Sequence, residues 1–107
     1  MQRPTKYKTL RGGVARIRWF KRLKHSGDYD IEKYNIRINS ALTRGGQAGA
    51  LLHELHHHCF DCITLSPRDH YTMDEIMADV TGRGMTKLWK DNPSLFAWIH
   101  WALTEGK

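Results

Sequence analysis

Residues 51–62 read Leu-Leu-His-Glu-Leu-His-His-His-Cys-Phe-Asp-Cys, and within them His53-Glu54-Leu55-His56-His57 spells H-E-x-x-H. On a helix, positions i and i+4 share a face, so His53 and His57 could hold one metal ion between them. Glu54 is turned by about 100° from His53, to the edge of that face. From there a carboxylate can reach a metal-bound water and act as its general base. The rest of the chain is constrained by this stretch, because it must supply both a core for the helix and the remainder of a site.

The helical period extends on both sides of the motif. From about Gln47 to Phe60, Ala48, Leu51, Leu52, Leu55 and Cys59 fall on one apolar arc, while Ala50, His53, Glu54 and His57 fall on another. Thr43 stands where an N-cap is expected. Upstream the period changes to two. Val14–Phe20 alternates Ile17 and Trp19 with Arg16 and Arg18, Ile36 and Ile38 alternate with Arg37 and Asn39, and Tyr7–Leu10 could add a short strand. Downstream, Thr72-Met73-Asp74-Glu75 has the capping-box spelling that opens a second helix, reaching about Lys90 with a middle weakened by Gly82 and Gly84. Asp91-Asn92-Pro93 ends it, and Ser94–Leu103 reads as an aromatic-rich third helix. Trp89, Trp98 and Trp101 are expected between these last helices and the sheet. The 107 residues suffice for one domain, 1–107, with loose ends at 1–5 and 104–107. The expected class is α+β: a small antiparallel sheet packed on the H-E-x-x-H helix, a Glu-bearing second helix and a C-terminal helix.

A hydrolytic zinc site keeps three protein ligands and one open position. One spelling would add a glycine three residues after His57 and a histidine three further on, but Phe60 and Ile63 occupy those positions. A second spelling takes a glutamate from the following helix with an aspartate four residues later, and Glu75 and Asp79 fit it. Glu75 would bind the metal, and Asp79 would accept the remaining ring N–H of a ligating histidine. Asp74 and Asp79 are the rival ligands, and a helix-opening carboxylate is also the ordinary role of Glu75. His56 and His58 are expected to stay off the metal.

With these residues in view, the chain resembles the gluzincin branch of zinc metallopeptidases. A Gly27–Asp30 turn, Asn-Ile-Arg-Ile-Asn, the motif helix and a helix ending in Lys-Asp-Asn-Pro follow in an order similar to small zincin-like proteins of phages and prophages; the similarity covers about residues 27–93. The resemblance implies a minimal zincin-like fold, Zn²⁺ as cofactor and a peptide or protein substrate. It implies catalysis by Glu54 on a zinc-activated water. The strand at Tyr34–Ile38 would pair with an extended substrate. His70, Tyr71 and His100 are candidates by residue type for an oxyanion donor.

A different class of function competes. Cys59-x-x-Cys62 with His56 or His58 could close a structural Cys2His2 zinc site, although Cys59 lies on the core arc. The net charge of +6 includes nine Lys or Arg among the first 24 residues. Such a balance admits a nucleic-acid partner, but these cations are interspersed with apolar residues and no nucleic-acid motif accompanies them, so a solvated basic edge is the favoured reading. No apolar run approaches the ~18 residues of a membrane span. No apolar leader precedes Lys8, so the expected location is cytoplasmic, the host-cell cytoplasm if the gene belongs to a phage.

Overall fold

The computed structural model describes residues 1–64 and 72–106. The chain runs β1 (Lys6–Lys8), β2 (Val14–Phe20), β3 (Gly27–Tyr29), β4 (Ile36–Asn39), then α1 (Arg44–Thr64), α2 (Met73–Asp79), a π-helical stretch (Val80–Met85), α3 (Thr86–Asp91) and α4 (Pro93–Thr104). This is the α+β architecture expected, with one correction. The sheet is mixed, not antiparallel: its order is β1-β2-β4-β3, and β2 pairs with β4 in parallel while β1–β2 and β3–β4 are antiparallel. The connection at 21–26 is long enough to skip one strand position of about 4.8 Å. β3 then runs back down, and β4 returns up the vacated slot.

That topology also corrects the expected substrate strand. β4 has β2 on one side and β3 on the other, so its backbone groups are taken. The edge strand beyond β4 is β3. Asn39 donates its N–H to Ser26 O and Asp30 donates to Asn35 O, which makes 26/39, 28/37 and 30/35 the bonded pairs of the ladder. The N–H and C=O groups of Gly27 and Tyr29 therefore point away from the sheet.

One face of the sheet builds the core. Tyr7, Ala15, Ile17, Ile36 and Ile38 point inward and are buried against Ala48, Leu51, Leu55 and Cys59 of α1, with Leu95, Trp98, Ile99 and Ala102 of α4 in the same cluster. The β1–β2 turn closes through Thr9 N–H to Gly13 O at 2.8 Å, and Gly12 holds φ +90, a conformation for which glycine has no steric penalty. Thr43 caps α1, its hydroxyl accepting from Gly46 N–H at 3.1 Å. Asn92, between α3 and α4, ties the helices to the sheet: it accepts from Lys8 N–H at 2.7 Å and donates to Lys8 O at 3.0 Å. In the N-terminal segment Pro4 O accepts from the Trp19 indole, and Gln47 Oε1 accepts from Arg3. Trp98 is buried as expected, but Trp89 is an exposed stack on Phe96. No helix among the described residues is long and apolar enough to cross a membrane.

The glycines expected to weaken the second helix divide into two roles. A Cβ on Gly84 would stand 2.9 Å from Cys59 Cβ, so this glycine lets the π-helical stretch lie directly on α1. A Cβ on Gly82 would meet nothing within 4 Å. Gly84→Val should therefore cost about 1–3 kcal/mol by overpacking, lowering Tm on the order of 10 °C. Gly82→Ala should not lower it. Thermal unfolding of the two variants, with equal losses as the contradicting result, checks this contact.

Candidate metal centre

α1 presents two chemically different sides to β3. Two strand residues advance about 6.7 Å and four helix residues about 6.0 Å, so alternate residues of β3 meet α1 residues one turn apart. Gly27 lies against Glu54, and Tyr29 lies against His58. A Cβ on Gly27 would stand 3.3 Å from Glu54 Oε2, 3.0 Å from Ile38 Cδ1 and 2.9 Å from Arg37 O. The missing side chain leaves the notch that the Glu54 carboxyl fills.

His53, Glu54 and His57 come together as the helical spacing requires. One ligand atom from each lies within 4.8 Å of the others, and among the described residues no other three His, Cys, Asp or Glu side chains converge in this way. His53 Nε2 and His57 Nε2 are 3.1 Å apart, with the rings close to perpendicular at 79°. Two nitrogens at 2.0–2.1 Å on a tetrahedral zinc would be separated by about 3.3 Å. The pair is thus within about 0.2 Å of the spacing a single ion requires, and this group could bind a metal ion. Both histidines are exposed, whereas Glu54 is buried. Burial pushes the Glu54 carboxyl above the usual range; His53 and His57 pull it back and Asp28 pushes it further up, with a net upward shift. An upward shift makes a carboxylate a stronger base near neutral pH.

Glu75 and Asp79 lie outside this group. Glu75 completes the capping box, accepting from Thr72 N–H at 3.4 Å while its own N–H donates to the Thr72 hydroxyl at 3.2 Å. The same S/T-x-x-E spelling that opens the helix thus engages the carboxylate expected as third ligand. Asp79 faces Arg83 at 3.7 Å. Asp74, His56 and His100 do not join the group either. His70 and Tyr71 lie outside the described residues.

His58, one residue past the motif, belongs to the core. It is completely buried, with Tyr7, Tyr29 and Tyr34 edge-on around its ring. Leu10 N–H donates to Nε2 at 3.0 Å, so in the neutral ring the proton sits on Nδ1 and is directed at the Tyr29 hydroxyl, 3.0 Å away. Tyr29 in turn donates to Asp61 Oδ2 at 3.3 Å. The periodicity contained a signal for this role, since His58 is seven residues after Leu51 and three after Leu55, on the apolar arc. Burial first, then Arg11, push the His58 imidazole down to about 4. A depressed value means stability that is complete above the ordinary histidine range and is lost as pH falls through the folded value. Between pH 6.5 and 4 the protein should lose on the order of 3 kcal/mol from this residue. His58→Gln should flatten that part of the stability profile, and an unchanged acid slope in urea titrations would contradict it.

Cys59 and Cys62 are buried thiols. Cys59 donates to Met85 Sδ at 3.5 Å, and burial pushes it up to about 12. Burial raises Cys62 as well, against the opposing pull of Arg11. Zinc binds the thiolate, so both shifts oppose metal ligation. Comparison with protein-family models, with characterised proteins and with solved structures gives no match.

Proposed function

We propose that the protein is a zinc-dependent metallopeptidase in which His53 and His57 hold the ion and Glu54 is the general base. The observation that carries this reading is the 3.1 Å approach of two imidazole nitrogens beside a buried, upshifted carboxyl on the same helix. Bound there, zinc would lower the pKa of a water and polarise the scissile carbonyl. Glu54 Oε would be the group to accept a proton from that water and return it to the leaving amine. Its position in the Gly27 notch holds the carboxyl against β3, where the outward N–H and C=O of Gly27 and Tyr29 can pair with an extended peptide. The substrate would thus lie along the strand next to the base. Glu75 would complete the ligand set by leaving its cap: the 3.4 Å bond to Thr72 is long and exposed, and a cap is worth about 1 kcal/mol. Asp79, one turn further along the same helix, would then orient a ligating ring.

The test is cleavage of a mixed peptide library followed by mass spectrometry. Cleavage should be abolished by chelation and restored by one equivalent of zinc. Cleavage that persists in the metal-stripped protein would refute the proposal, as would its absence in the fully loaded one.

A further inference from the structure

The sheet has a second face that no helix among the described residues covers. Alternation along each strand sends Lys6 and Lys8 of β1, Val14, Arg16, Arg18 and Phe20 of β2, and Arg37 of β4 to solvent. The register sets like charges directly opposite each other: Lys6 faces Arg16, and Arg18 faces Arg37. Such pairs oppose strand pairing. Among the described residues, acids stand at the margins, where Asp28 holds Arg37 and Asp91, bonded to Lys87, lies near Lys8. Lys6, Arg16 and Arg18 make no ion pair among the described residues. Arg16 and Arg18 are about 6.7 Å apart along the strand. They line a shallow groove of about 850 Å³ with Lys6, Trp19 and Phe20, and Phe20 is 41% exposed at its end.

We propose that this face binds single-stranded nucleic acid, with Lys6, Arg16 and Arg18 on successive phosphates and Phe20 under a base. A polyanion would relieve the Lys6–Arg16 pair and neutralise Arg18, whose neighbour Arg37 already has Asp28. Arg16 and Arg18 in line along β2, with Lys6 beside Arg16 and the exposed Phe20 ring at the end, match the alternation of phosphate and base along one strand. The surface is independent of the metal centre, which lies on the helical side of the sheet.

The test is fluorescence anisotropy of the full chain with a labelled 20-nucleotide oligothymidylate. Three neutralised phosphates give a salt slope of about −2, so affinity should fall about twentyfold between 50 and 200 mM salt. Arg16→Glu with Arg18→Glu should abolish binding. It turns both like-charge pairs into opposite-charge pairs, so its Tm should not fall; if it does, Arg16→Gln with Arg18→Gln carries the same test. Phe20→Ala should weaken binding at least about fivefold without changing the slope, and His53→Ala should leave it unaltered. Three results would overturn the proposal: no saturable binding at 50 mM salt, wild-type affinity in the double variant, or tighter binding of a duplex or of phosphatidylserine vesicles than of the single strand.

Discussion

Alanine at His53 or at His57 should abolish stoichiometric zinc binding and leave the fold intact. Each supplies one of the two nitrogens 3.1 Å apart, and with either gone the proposed set falls to one imidazole and Glu75. Loss of an outer partner of a zinc ligand costs about 10–100-fold in affinity, and loss of a ligand itself should exceed that. Both side chains are exposed, so stability should change by no more than about 0.5 kcal/mol. Glu75→Ala should weaken zinc by a smaller factor than either histidine variant. The measurement is zinc content after dialysis, with affinity from competition against a chromophoric chelator and Tm from circular dichroism. One zinc retained by His53→Ala would place the ion elsewhere.

Glu54→Gln should separate binding from chemistry. Glutamine fills the notch beside Gly27 but cannot take a proton, so peptide cleavage should drop by about 10²–10⁴-fold with zinc content unchanged. The same variant has a second readout in the metal-free protein. Burial raises the Glu54 carboxyl, so its contribution to stability is present below the ordinary carboxylate range and is lost as pH rises through the folded value. Metal-free Glu54→Gln should therefore be more stable than wild type at neutral pH, and the difference should vanish in acid. Equal stability at both pH values would show that the carboxyl is not held in a desolvated position.

The motif helix was legible because three signals agree there. An apolar arc, a capping threonine and the i, i+4 histidines all demand the same α1, and the helix found extends three residues before and four after the periodic stretch. β2 was legible from alternation alone. The insertion of β4 between β2 and β3 was not, since short connections favour neighbours in sequence and alternation carries no information about strand direction. Glu75 shows a different limit. A carboxylate three residues after a capping threonine satisfies the cap and the ligand spelling equally, and only the energy of the metal-bound state distinguishes them. Gly27 was visible as a turn residue, but its value is the space it leaves for Glu54, which depends on a contact between residues 27 apart. His58 was concealed by its neighbours: three consecutive histidines look alike in sequence, yet one turn of helix sends His57 to solvent and His58 to the core.

The ligands of the ion are read most directly by X-ray absorption at the zinc edge on the protein loaded with one equivalent of zinc. Ligation by His53 and His57 should give a shell of nitrogen and oxygen at about 2.0–2.1 Å containing two imidazoles and no sulfur. A sulfur shell at about 2.3 Å would assign the ion to Cys59 and Cys62 and contradict it.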